Sequence, residues 1–186
     1  MTASDPYTLP DGLPVPQDDG AADHLLGTML PQLTLESTHG PVSLRALSQD
    51  RLVLYVYPRA GRPGVASLPG WDEIPGARGC TPQSLGFREA NARFRELGAE
   101  VAGLSAQTLD DQREFVERNA IPYPVLADPD LRLATTLRLP TFDVEGLTLY
   151  KRLALVAEAC AIVKVFYPVF PPDENARDVL AWLESR

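Results

Sequence analysis

Cysteine is scarce in this chain: Cys80 and Cys160 are the two it has, and eighty positions separate them. Two are too few for a disulfide framework and lack the paired spacing of a zinc site, so any chemistry they carry is redox or nucleophilic. No C-x-x-C occurs, which argues against a thioredoxin-like disulfide reductase. Histidine is equally sparse. His24 and His39, with no third polar partner nearby, read as surface residues, and a Cys–His hydrolase is disfavoured. Long apolar runs are missing too, since Arg, Glu, Pro or Gly break each one well before the roughly 18 residues of a membrane span. No membrane association is expected. Basic residues are outnumbered, 17 against 25, leaving a net charge of −8. That field repels polyanions, so nucleic acid is not an expected partner. The first residues carry Asp5, Asp11, Asp18 and Asp19 in place of the basic and then apolar pattern of a secretory signal. The expected location is the cytoplasm.

What is present suits one domain: 186 residues, 45% of them hydrophobic, can build one core. Residues 1–26 scatter Pro6, Pro10, Pro14 and Pro16 among Asp and Gly and read as a flexible arm outside the core, with residues 27–186 as the domain. Leu33 and Leu35, then Val42 and Leu44 after a turn at His39-Gly40-Pro41, predict a short hairpin. Leu52 to Tyr57 is an unbroken β-prone run stopped by Pro58, the pattern of a central strand covered on both faces. Residues 60–79 hold five glycines and three prolines, a long irregular loop that a compact domain keeps mainly for function. Phe87, Ala90, Phe94 and Leu97 then recur at helical spacing, with Thr81-Pro82 as cap and first-turn proline and Gly98 as stop. The remainder alternates: strand 100–105, helix 109–119, strand 124–127, helix 130–138, strands near 152–157 and 161–167, and a helix at 173–184. The fold class is α/β with a mixed sheet.

Cys80 sits where this order matters. A cysteine at a helix start meets unpaired backbone amides and the positive end of the helix dipole, which favour thiolate over thiol. Gly79 permits close backbone approach, and the strand–loop–helix order presents Cys80 at the carboxyl end of a central strand, where α/β proteins place their sites. The plainer reading of any single cysteine, a small buried hydrophobe, gives way to this context.

Tyr57-Pro58-Arg59 after an apolar strand, followed by Gly79-Cys80-Thr81-Pro82, resembles the peroxiredoxins, particularly the Q or bacterioferritin-comigratory branch. Val101-Ala102-Gly103-Leu104-Ser105, Tyr123-Pro124-Val125-Leu126-Ala127-Asp128 and Leu139-Pro140-Thr141-Phe142 resemble the segments that follow in that family, so the likeness runs from about residue 30 to 184. It implies a thioredoxin-like fold with an N-terminal hairpin and a mixed central sheet flanked by helices. It also implies a thiol-dependent peroxidase that needs no cofactor and no metal. By the resemblance Cys80 is the peroxidatic cysteine, Arg152 is the arginine beside its thiolate, and Pro58 and Thr81 support them. The thiolate attacks a peroxide oxygen and becomes sulfenic acid, while the guanidinium donates to the oxygen on which charge develops.

The chain departs from that pattern in four places. Ala77 stands where the family has Thr or Ser, Glu73 where it has proline, and residues 60 to about 76 are a longer loop. Leu85 stands one helical turn after Cys80, where many relatives carry a second cysteine. Cys160 falls in the turn between the last two strands, and eight residues at about 3.3 Å each set it on the order of 25 Å from Arg152. The expected reductant is therefore an external thiol or a thioredoxin- or glutaredoxin-like protein acting on a monomer or dimer, with a hydroperoxide as substrate. The alternative is a redox sensor or binding module on the same fold. Gln107, Asp110, Asp111, Arg113 and Glu114 read as the polar cap and exposed face of a helix. Trp71 either lids the site or anchors the loop, and Phe166, Tyr167 and Phe170 with their neighbouring prolines read as core and cap.

Overall fold

The computed structural model describes residues 5–186. A hairpin of β1 (Thr34–Ser37) and β2 (Val42–Ser43) leads through a single helical turn, α1 (Leu44–Leu47), into β3 (Arg51–Val56). Helix α2 (Cys80–Glu96), β4 (Glu100–Ser105), α3 (Leu109–Asn119), β5 (Val125–Ala127) and α4 (Arg132–Leu137) follow. The chain closes with β6 (Thr141–Val144), β7 (Leu147–Tyr150), β8 (Leu153–Glu158), β9 (Ala161–Phe166) and α5 (Asn175–Glu184). Seven strands form one mixed sheet in the order β2-β1-β5-β4-β3-β8-β9. Its centre is parallel, β3 with β4 and β4 with β5, while β8 runs antiparallel to β3.

β3 shows why the unbroken apolar run is central. Leu52, Leu54 and Val56 enter one core and Val53, Tyr55 and Tyr57 the other, and each is at most 1% exposed. Period-two alternation sends successive side chains to opposite faces, so a strand with helices on both sides needs apolar residues at every position. The face shared with α2 is aromatic: Tyr55 stacks on Phe87 at 4.5 Å between ring centroids and Phe87 on Phe94 at 5.7 Å. Gly103 on β4 is small because the Tyr55 hydroxyl lies where its Cβ would be, 2.7 Å away.

Four sequence expectations change. The arm is not wholly outside the core: a 3-10 turn at Asp23–Leu25 buries Leu25, and Ala22 is buried beside it. The helix at the site starts on Cys80 itself, capped by Gly79 in the left-handed region (φ 101), so Thr81-Pro82 lies inside the first turn and caps nothing. Helix α4 is shorter than 130–138, because Leu131 and Arg138 are both left-handed and close it at each end. The hairpin β6–β7 was not expected at all, and it pairs with itself apart from the main sheet.

Candidate active site

Cys80 and Arg152 reach each other across 72 positions of sequence. Cys80 is the first residue of α2, and Arg152 directly precedes β8, whose first residue Leu153 pairs with Val56 at the end of β3. The guanidinium Nη2 donates to Cys80 Sγ at 3.2 Å. The same Nη2 donates to the carbonyls of Ala77 at 3.0 Å and Arg78 at 3.2 Å, and Nε donates to that of Gly76 at 3.2 Å. Nη1 is held by the Gln83 side-chain oxygen, and Gln83 Nε2 donates in turn to Asn175 Oδ1 at 2.9 Å. Arg152 is 3% exposed and Gln83 fully buried. One buried fork thus gathers the end of the long loop, the first turn of α2 and, through Asn175, the start of α5. Cys80 Sγ also lies 3.6 Å from the Ala77 carbonyl oxygen, a contact open to the sulfur only when it carries a proton.

Cys80 opens into a cavity of about 330 Å³ whose wall includes Arg59, Leu68, Trp71, Thr81 and Gln107. The Thr81 hydroxyl is buried and has no hydrogen-bond partner among the described residues. Pro58 is buried, but its successors Arg59 and Ala60 line the cavity rather than Pro58 itself. Of the four residues predicted for the site, Cys80, Arg152 and Thr81 therefore come together, and Pro58 stands behind the wall. Trp71 lines the cavity and anchors the loop, its ring packing on Phe142 of the β6–β7 hairpin at 6.3 Å between centroids. Leu85 is half-buried and Glu73 exposed.

Gln107 is not the exposed cap residue the sequence suggests. It is buried, and its side-chain amide accepts from Ala60 N at 2.8 Å and donates to Ala60 O at 3.2 Å, pinning the loop where it leaves β3. Gln83 and Gln107 were both missed as positioning residues. The only signal was their place, one turn after Cys80 and two residues past the carboxyl end of β4.

Beneath the site lie three buried tyrosines. Tyr55 and Tyr123 hydroxyls are 3.1 Å apart, and Tyr123 donates to the Ser84 carbonyl at 2.9 Å. Burial pushes the Tyr55 phenol up to about 12 and those of Tyr57 and Tyr123 well above the usual tyrosine range. Cys160 lies elsewhere, in the β8–β9 turn, where its thiol donates to the Arg45 carbonyl at 3.3 Å. At that end Glu158 faces Arg51, the first residue of β3, whereas the site is at the last residue of β3.

The Redoxin family profile matches residues 25–180. Among curated relatives, the chloroplastic peroxiredoxin Q of Sedum lineare is 29% identical over 86% of this chain and 77% of its own length. That of Gentiana triflora is 30% identical over 86% of this chain, which spans 66% of its length. Among solved structures, peroxidoxin BcpB from Mycobacterium tuberculosis superposes with a TM-score of 0.70 at 26% identity, over 86% of this chain and 96% of that one. A profile spanning most of the chain, together with the shared fold, places it: the chain belongs to the Redoxin family and is a peroxiredoxin similar to the Q and bacterioferritin-comigratory branch.

Proposed function

We propose that this thiol-dependent peroxidase works by a one-cysteine cycle on Cys80, with Arg152 as its electrostatic partner. The observation that carries the proposal is the 3.2 Å contact from Arg152 Nη2 to Cys80 Sγ. A buried guanidinium is costly unless its charge is compensated. Every other group bonded to Arg152 among the described residues is a neutral oxygen, which leaves the Cys80 sulfur, as thiolate, as the contact able to carry the opposite charge. The thiolate attacks the nearer peroxide oxygen, the O–O bond breaks, and Cys80 becomes sulfenic acid while the leaving alkoxide or hydroxide takes a proton. Arg152 then donates to the oxygen that gains charge. Thr81 lines the cavity with its hydroxyl buried and unpartnered among the described residues, and turning that hydroxyl into the cavity would supply the hydrogen bond to peroxide that Ala77 cannot.

A first thiol attacks the sulfenic sulfur, releasing water and leaving a mixed disulfide, and a second thiol releases Cys80 as thiol. The reductant comes from another molecule, because Leu85 stands where a local partner cysteine would be and Cys160 is at the opposite end of β8. The substrate is hydrogen peroxide or an organic hydroperoxide, and the location carried with this reading is the cytoplasm. The family match does not favour a sensor or binding module without turnover. Peroxide consumption with dithiothreitol tests the cycle. The wild type turns over repeatedly, Cys80→Ser does not while keeping its fold, and intact mass after one equivalent of peroxide shows one added oxygen. Substantial turnover by Cys80→Ser would mean another nucleophile.

A further inference from the structure

In a one-cysteine cycle the oxidised sulfur has no second thiol to carry it outward, so the reductant has to come in. Cys80 is 4% exposed, and the way to it is roofed by two separate stretches of chain. The first is the N-terminal segment. Arg78, two residues before Cys80, donates through Nη2 to the carbonyl of Asp5 at 2.5 Å and to that of Thr8 at 3.4 Å, and Pro6 lines the cavity. Leu9 lies against Gly79 at the helix start. The second is the long loop after β3. Arg118 ties the two together: it donates to the Tyr7 hydroxyl at 2.9 Å and to the Gly61 carbonyl at 3.0 Å, with its guanidinium 5.8 Å from the Tyr7 ring centroid.

The cavity this roof leaves is about 330 Å³, at the small end of the range that holds organic ligands. A redoxin would have to bring a cysteine on a protein surface to within bonding distance of Cys80, which a roof of this kind obstructs. The charge of the wall narrows the choice further. Arg62 is paired with Asp111 at 2.9 Å and with Glu114 at 3.4 Å, and Arg78 with Asp72 at 3.3 Å. Arg59, half-buried in the same wall, makes no ion pair among the described residues.

Building on the one-cysteine reading, we infer that the reductant is a low-molecular-weight thiol bearing a carboxylate, which Arg59 recognises, and that the N-terminal segment is the element that selects it over redoxins. The first thiol displaces the sulfenic oxygen as water and forms a mixed disulfide with Cys80. The second attacks that disulfide, leaves with the first as a symmetrical disulfide and returns the thiol. Peroxide takes up the two electrons that the two thiols lose.

The test compares glutathione, neutral dithiothreitol, and thioredoxin kept reduced by its reductase, each as sole reductant in steady-state peroxide consumption. In the wild type, glutathione supports turnover with a kcat/KM at least about tenfold above that for thioredoxin, the scale set by obstructed against open access. Arg59→Gln raises the KM for glutathione about fivefold more than that for dithiothreitol, as loss of one carboxylate–guanidinium contact requires. Tyr7→Ala combined with Leu9→Ala, which removes the side-chain contacts of the segment to Arg118 and Gly79, raises the thioredoxin rate. Thioredoxin matching glutathione in the wild type, Arg59→Gln affecting both small thiols alike, or no gain with thioredoxin in the double variant would each overturn the inference. Absence of turnover with all three reductants would instead overturn the cycle on which it rests.

Discussion

At the scale of single residues, the proposed cycle rests most heavily, after the cysteine, on Arg152, whose contacts a lysine could not reproduce. Its planar fork reaches Sγ, three loop carbonyls and Gln83 at once, whereas an ammonium is a single point donor. Arg152→Met is expected to slow the peroxide step by about 100-fold or more, as removal of one donor to developing charge does elsewhere. It should also slow alkylation of Cys80 by iodoacetamide, and stopped-flow measurement of both rates checks it. Arg152 was legible from the family pattern and its place before an apolar strand. Gln83 and Asn175 were not, since a buried amide linking distant helices leaves no periodic trace. The tyrosines carry a pH dependence of definite sign. Tyr55 in the folded protein is raised from 10.0 to about 12, so the folded and unfolded chains are equally protonated below 10. Between those values the unfolded chain releases a proton that the folded one keeps, and stability falls as pH rises. Denaturant midpoints measured across that window should drop, and phenolate absorbance from the buried tyrosines should appear only with unfolding.

At the scale of elements, the decisive junction is the start of α2. Gly79 is left-handed, and a Cβ there would run into Pro172 and come within 2.8 Å of Leu9. Gly79→Ala combines a disfavoured φ with overpacking, so it should destabilise the fold by about 1–3 kcal/mol and lower peroxidase activity by displacing the helix turn that carries Cys80. Urea midpoints and initial rates test both parts. β3 and α2 were readable because each carries a long pattern: an unbroken β-prone run and apolar residues at helical spacing. The hairpin β6–β7 was not, for two reasons. Its strands are four residues each, and its turn is Glu145-Gly146 with both φ positive, a conformation for which Asn or Asp before Gly is the usual signal. The buried end of the N-terminal segment was equally hidden, since Ala22 and Leu25 offer too few apolar residues to show a period.

At the scale of the whole molecule, the sheet keeps the two cysteines apart. Cys80 lies by the end of β3 and Cys160 past the end of antiparallel β8, so the six residues of β8, about 20 Å at strand rise, separate their levels. A disulfide needs Cα atoms within about 7 Å, and closing that distance would strip β8 and β9 from the sheet. Cys160→Ala should therefore leave turnover with an external thiol within about twofold. Peptide mapping of oxidised wild type without reductant should show no Cys80–Cys160 link within one chain; such a link, formed at the rate of turnover, would reject both the topology and the cycle. This separation was legible from the spacing of strands in the sequence. The roof over Cys80 was not, because it is made where a proline-rich segment and an irregular loop meet, and neither announces a partner.

The position of Trp71 gives the protein a further property. The chain has two tryptophans. Trp182 lies by the last residues of the chain, its ring 4.8 Å below the Arg186 guanidinium, remote in sequence from the loop that holds Trp71. Trp71 shares its cavity with Cys80. Indole emission responds to the polarity and quenching groups around the ring, and a thiolate, a sulfenic acid and a mixed disulfide differ in both. One fluorophore is thus expected to follow the oxidation state of the sulfur while the other supplies a background, and Trp71→Phe should abolish the change in emission that one equivalent of peroxide produces in the wild type.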